Sequence, residues 1–472
     1  MTEQAQPPVV FGRERGIALL ALLALVVLGA TLALLAMSNP RPLELERDQV
    51  TNKALAQAKE ALIAFAASYP DTHPNHVPGY LPCPDRAGAN PEGSEEPNCD
   101  PMNVTVIGRL PWKKLGMAPL RDGSGECLWY AVSGTFKNNP KTELMNWDIL
   151  GQIEVYGPDG VTLLAGSQPE NRAAAVIFAP GVALGQERQH DQLPGTICSK
   201  DYVPARFLEA IGTLNNAAVN STPGAITKFI AGDEGAAFND RLLFVTPAEI
   251  FAAVEKRHDF PAIVAQNVAE CLVNYVKNNG NWSGGDFRFP WAARVEDVTI
   301  YDDTADRMSG RFPVLANDTS GANPGTSLIT YCPDQKNWWS NWKEYLFYAL
   351  SADFKPTPTP APPVRTLPIT CGSSCLQVND SGGQVAVVMF AGRPLPGQTR
   401  ATVADKGNLA NYLEGRNRAN HPNALGSANY EASACSTTFN DVLHCVRLDG
   451  TGRPIAAACP GAPIKERRCN FQ

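Results

Sequence analysis

Seven short blocks of this chain occur twice, in the same order. Glu60-Ala-Leu-Ile-Ala-Phe-Ala66 is matched by Glu270-Cys-Leu-Val-Asn-Tyr-Val276, and Gly108-Arg-Leu-Pro111 by Gly310-Arg-Phe-Pro313. Cys127-Leu-Trp-Tyr-Ala-Val-Ser133 is matched by Tyr345-Leu-Phe-Tyr-Ala-Leu-Ser351, and Ala173-Ala-Ala-Val-Ile-Phe-Ala179 by Val385-Ala-Val-Val-Met-Phe-Ala391. Gly185-Gln-Glu-Arg188 then matches Gly397-Gln-Thr-Arg400, Phe207-Leu-Glu209 matches Tyr412-Leu-Glu414, and Phe238-Asn-Asp-Arg-Leu-Leu243 matches Phe439-Asn-Asp-Val-Leu-His444. The offsets lie between 201 (238 to 439) and 218 (127 to 345). Chance similarity does not keep seven blocks in order, so the chain must accommodate two copies of one unit. These are placed at residues 43–246 and 247–472. The Pro-rich run 355–363 reads as an extended linker by composition. It falls between matched blocks, however, and is therefore a surface loop of the second copy.

Each copy opens with a helical pattern. From Leu43 to about Ala67, Leu55, Ala58, Leu62 and Phe65 recur at helical spacing in a run rich in Ala, Leu, Lys and Glu. In the second copy, Thr246-Pro-Ala-Glu249 forms a capping box with Pro at the first helical position, starting a helix to about Lys256. A further helix begins at Pro261, with Val264, Val268, Leu272 and Tyr275 as its apolar stripe. Runs such as 127–132, 173–179 and 385–390 are rich in β-branched and aromatic residues and read as strands. A helix on an antiparallel sheet, an α+β arrangement, is the expected unit.

The start of the chain is different. Gly12-Arg13-Glu14-Arg15-Gly16 precedes 21 residues, Ile17 to Met37, without a charge. At ~1.5 Å per residue such a helix is long enough for a hydrocarbon core of ~30 Å. The flanking arginines put residues 1–16 in the cytoplasm and the bulk of the chain beyond the membrane. Expected here, therefore, are a basic leader at 1–16, a transmembrane helix at 17–37 and a single-pass inner-membrane protein, its bulk periplasmic or at the cell surface in a filament. The segment is too long for the apolar region of a secretory signal peptide.

Arg15-Gly16 followed by an apolar residue resembles the leader of type IV pilins and type II secretion pseudopilins. That resemblance implies cleavage by a prepilin peptidase between Gly16 and Ile17, with the new N-terminal helix joining other pilins or pseudopilins in a filament. It also implies a pilin-like module in which the first helix packs on a sheet. Family members usually carry Glu five residues into the mature chain; Ala21 stands there. An uncompensated buried amine is costly, so the resemblance points to an atypical minor pilin or pseudopilin at or near a filament tip. The alternative is a tethered periplasmic binding or adhesion protein that joins no filament. Only residues 12 to 67 carry the family likeness; beyond them it is one of architecture.

The net charge of −7 excludes a general attraction to nucleic acid. Twelve cysteines, all beyond residue 37, suit disulfides in an oxidising compartment. Local closure suggests Cys83–Cys99, Cys371–Cys375 and Cys459–Cys469. Cys371-Gly-Ser-Ser-Cys375 lacks a second ligand pair for zinc.

No Gly-x-Ser-x-Gly elbow or His-Glu-x-x-His helix occurs, and no catalytic residue is assigned. His73 and His76, with Asp71, would need further ligands to hold a metal, and the second copy has no such pair. The acidic loop 85–96 and Asp122-Gly-Ser-Gly-Glu126 have oxygen-bearing residues among glycines, so calcium is the one cofactor weighed, with Asp122 and Glu126 as weak candidates. Ala87 and Ala89 occupy positions where a calcium loop needs carboxylates. Trp338, Trp342 and Tyr345 share a helical face and read as core. Asn239-Asp240 and Asn440-Asp441 read as turns before strands, and their duplication suits scaffolding.

Overall fold

The computed structural model describes residues 22–28, 41–87, 91–141, 143–188, 197–199, 201–257, 260, 262–279, 287–316, 326–332, 336–356 and 367–462. Gly16, Ile17, Ala21, Ala89, Pro261, Cys469 and most of the Pro-rich run, 357–363, lie outside them.

The spanning helix and the inner-membrane placement expected from 17–37 are corrected. Among the described residues no helix is long and apolar enough to cross a membrane. Of 17–37 only residues 22–28 are described, as helix. The long helix α1 (Arg41–Thr72, 32 residues) carries Asp48, Lys53, Lys59 and Glu60. One such charge at mid-bilayer costs about 2.5–3.5 kcal/mol. The fold class headed by a transmembrane helix is replaced by a body of helices and short antiparallel strands that begins on a charged helix.

Ala54, Leu55, Ala58, Leu62, Ala66 and Tyr69 form the buried stripe of α1. Ala66 holds the place expected of Phe65, which packs at the side of the stripe against Tyr69. The chain continues through β1 (Val106–Arg109), β2 (Trp129–Val132), β3 (Ile153–Tyr156), β4 (Leu163–Ala165), β5 (Ala175–Ala179), the short pair β6 (Ala210–Ile211) and β7 (Leu214–Asn215), β8 (Thr227–Ile230) and β9 (Arg241–Val245). Strands β1-β2-β5-β9 form one antiparallel sheet under α1, and β4-β3-β8 a smaller one with β3 and β8 parallel.

Helices α2 (Pro247–Val254) and α3 (Ala262–Asn279) follow, and the expected capping box of Thr246 and Glu249 is formed. Next come β10 (Ser309–Arg311), the pair β11 (Leu315–Ala316) and β12 (Thr326–Ser327), α4 (Lys336–Trp342), β13 (Leu346–Leu350), β14 (Leu376–Val378) and β15 (Ser381–Phe390). Short helices α5 (Val403–Lys406) and α6 (Gly415–Ala419), then β16 (Asn429–Tyr430), β17 (Val442–Leu448) and β18 (Pro454–Ala458) complete it. Val264, Val268, Leu272 and Tyr275 of α3 are buried on the antiparallel run β10-β13-β15-β17-β18.

Matched sequence blocks make matched contacts. Tyr130 donates its hydroxyl to the Pro82 carbonyl (3.1 Å) and Tyr348 to that of Pro290 (3.2 Å). Gly108 and Gly310 lie against the carbonyls of Asp85 and Ala293, where a Cβ would collide. One block is out of register by a residue. Tyr130 pairs Ile177 and Tyr348 pairs Val388, so Ile177 corresponds to Val388 and not to Met389. A one-residue slip in a strand exchanges its two faces.

Cys83–Cys99 and Cys371–Cys375 are bonded, with Cys127–Cys198 and Cys271–Cys332. The expected Cys459–Cys469 bridge is corrected: Cys459 pairs with Cys445. The β17–β18 hairpin sets Cys445 opposite Ala457, and Cys459, two residues on, shares that face.

The halves share one core. Trp147 meets Trp342 edge-on (4.7 Å between centroids) and Tyr345 (5.2 Å), while Phe260 and Phe390 close the cluster.

Candidate functional site

The repeated polar blocks, distant in sequence, converge in each half on one buried cluster. In the first, the Asp240 carboxylate accepts the Glu209 backbone N–H (2.9 Å) and the Asn216 amide (3.0 Å). Glu209 in turn accepts from Gln186 (3.2 Å) and from the Asn239 N–H (3.2 Å). Arg188 reaches Glu126 (3.1 Å) and lies 3.9 Å from Glu209, its guanidinium 5.2 Å from the Phe207 ring centroid. Arg109 also lies over the Phe207 ring, at 4.7 Å from its centroid.

The second half repeats this arrangement. Asp441 accepts the Glu414 N–H (3.1 Å) and the Asn417 amide (2.9 Å). Glu414 accepts from Gln398 (2.8 Å) and from the Asn440 N–H (3.1 Å). Arg400 (4.2 Å) and Arg311 (4.8 Å) both lie over the Tyr412 ring.

Burial and the neighbouring Glu209 push the Asp240 carboxyl up to about 9, and burial with Glu414 raises Asp441 well above the carboxylate range. Two carboxyls in one apolar site cannot both ionise, so each aspartic acid holds its proton far above the usual carboxylate range. Phe-Asn-Asp is thus no simple turn. Its Asp ties the strand β9 or β17 to the Phe/Tyr-Leu-Glu loop. Asn216 and Asn417, and the arginine–aromatic stacks, were not singled out in the sequence; the repeated Gly-Arg and Gln-x-Arg blocks carried the signal.

The other expected positions are separate from this cluster or engaged within it. Asp122 accepts N–H bonds from Ser124 (2.8 Å), Glu126 (2.9 Å) and Gly181 (2.8 Å), and Glu126 accepts from Arg188. Both candidate calcium ligands therefore hold loops together. In the 85–96 loop, Asp85 accepts the Gly93 N–H (2.7 Å), and Glu92 accepts those of Ile197 and Cys198. Burial raises Asp85 to about 6. Asp71 is paired with Arg257 (2.7 Å), away from His73, which stacks on Tyr69 at 4.0 Å. Among the described residues no group of three potential ligands could hold a metal ion. His190 and His258 lie outside them.

Compared with known proteins, the chain matches no family model, no curated protein and no solved structure.

Two of the cavities are large enough to hold a small molecule. One, of about 450 Å³, lies where the halves meet, between Asn146, Asp148, Arg172, Glu344 and Lys406. Burial pushes Asp148 up to about 6. The other, about 410 Å³, is bordered by Arg307, Leu409 and the buried His421.

Proposed function

We propose that this chain is a structural subunit of a type IV pilus or type II secretion-type filament, of the minor pilin or pseudopilin kind, placed at or near the tip. The observation that carries the reading is the apolar surface of its first helices. Leu22, Leu23, Leu25, Val26, Val27 and Leu28 are each more than half exposed, as are Leu43 and Leu45. Full burial of such a side chain is worth about 1.5–3 kcal/mol, so these helices gain most where other helices cover them. The Arg15-Gly16-Ile17 leader gives a route there, since cleavage after Gly16 frees the helix to join a bundle of partner subunits. Ala21, in place of an acidic residue, supports a place at the end of such a bundle.

The engagement of the buried acids in holding loops supports a structural role over an enzymatic one. N-terminal sequencing of the protein from filament preparations tests the reading. A mature chain starting at a methylated Ile17 is expected, and an intact Met1 or Thr2 overturns it. Labelling spread along the filament shaft contradicts the tip placement.

A further inference from the structure

The two sheets end differently on the same side. Strands β9 and β17 follow the matched Phe-Asn-Asp blocks at an offset of 201, and each lies beside the central strand, β5 or β15. Strand β17 is then covered on its outer edge by β18, with His444 opposite Ala458, Cys445 opposite Ala457 and Val446 opposite Ala456. Strand β9 pairs with β5 alone among the described residues. With no strand beyond it among the described residues, its outer edge is the kind of surface on which an added strand forms.

The side chains record the difference. Leu443 and Cys445 are 4% and 0% exposed. Leu242 and Phe244, at the matching positions, are only partly buried. The edge also lacks the usual guards. It has no proline and no bulge, and its one charge, Arg241, is held by Asp48 and Glu234.

We propose that the free edge of β9 is a docking site for an extended strand of a partner protein, paired antiparallel as β18 pairs with β17. The strand that fills the matched position, Pro454-Ile-Ala-Ala-Ala458, defines its chemistry: uncharged, apolar and small where it faces the neighbouring strand. A second copy fits less well. Its own β18 is already bound to β17 and tied by Cys445–Cys459, and its β9 would bring the bulky Phe244 and the charged Arg241.

Hydrogen exchange on the full chain tests this, with a synthetic Gly452–Ala458 peptide as probe. Free protein is expected to exchange amides of 243–245 about ten-fold faster than those of 444–446, the residues that β18 covers. Excess peptide should slow the first set about ten-fold and leave the second unchanged. The same peptide with Ala456→Pro and Ala457→Pro, which lacks the donors, should do nothing. Equal protection of both segments in the free protein, no effect of the peptide, or equal action of the proline peptide overturns the proposal. Protection that rises with protein concentration alone makes a second copy the occupant and overturns the partner assignment.

Discussion

Arg109 and Arg311 occupy matched positions, yet their surroundings differ. Arg311 donates Nε to the Val295 carbonyl (2.8 Å) and its two terminal nitrogens to the carbonyls of Glu344 and Lys406. Arg109 donates Nη2 to Asp201 O (3.0 Å), while its Nε and Nη1 have no hydrogen-bond partner among the described residues. Both are buried and both stack on the aromatic ring of the matched Leu-Glu block. The stack is thus common to the two halves, and the backbone clamp belongs to the second alone. A repeated motif fixes where a charged group lies without fixing how well it is satisfied.

The largest expected effect follows from that contrast. Arg311→Met leaves three part-buried carbonyls without this donor and should cost on the order of 3–5 kcal/mol. Arg109→Met removes a guanidinium whose burial already opposes its charge, replaces it with a side chain of similar length, and should cost no more than about 1 kcal/mol. Urea midpoints of the two variants decide it. Equal losses would mean that the stack, not the clamp, carries the stability.

Trp147→Ala comes next, because this first-half residue enters an aromatic cluster made otherwise from Trp342 of α4, Tyr345, Phe390 of β15 and Phe260. A loss of about 3 kcal/mol is expected, with the two halves then unfolding at separate urea concentrations. A single unchanged transition would show that the halves are coupled elsewhere.

The described disulfides each stay within one half, and their loops rank them. Cys127–Cys198 closes a separation of 71 residues and Cys371–Cys375 one of 4. Loop closure puts removal of the first, as a Ser pair, about 2.5 kcal/mol above removal of the second. Thermal midpoints of the paired Cys→Ser variants measure the gap, and a larger loss from the short loop would break the ranking.

How far the sequence could be read follows from the kind of signal each feature leaves. The helices α1 and α3, the capping box at Thr246 and two of the three suggested disulfides rest on local spacing, and they lie where spacing put them. Block matching located β5 against β15 but erred by one residue, because runs of Ala, Val and Ile have no internal landmark. Only backbone pairing with Tyr130 and Tyr348 fixes the register. The Cys445–Cys459 bridge depends on the β17–β18 hairpin, which Asp449-Gly450-Thr451-Gly452 signals, whereas closure of the shorter cysteine spacing favours Cys459–Cys469. The carboxyl clusters were visible as blocks, but their role needed the fold. Gln186, Glu209, Asn216 and Asp240 meet only after the loops have closed. The apolar run at 17–37 shows the limit of composition: it measures a length and a hydropathy, and no described helix has both.

The smallest effect is the pH slope of those clusters, and it sharpens the comparison of the halves most directly. Asp240 is raised in the folded chain from 3.8 to about 9. The folded state therefore binds a proton that the unfolded state has lost between those two values. Stability from this group is complete below pH ~4 and falls as pH rises through the window, by at most about 1.4 kcal/mol per pH unit. Asp441, raised by the same causes, acts in the same direction. Asp240→Asn keeps the Oδ acceptor for Glu209 N–H and Asn216, supplies amide donors toward Glu209, and cannot ionise. Its unfolding free energy should vary less steeply than wild type between pH 5 and 9, and Asp441→Asn should flatten the remainder. Arg188 lies 3.9 Å from Glu209, whereas Glu414, which accepts from Gln398 and the Asn440 N–H and is hydrogen-bonded to Asp441, makes no salt bridge among the described residues. The Asp441 proton therefore has the larger repulsion to relieve, and Asp441→Asn should change the slope more. Matching slopes for the two variants would show that Arg188 does not compensate the first cluster, and the two sites would then be equivalent in charge as well as in shape.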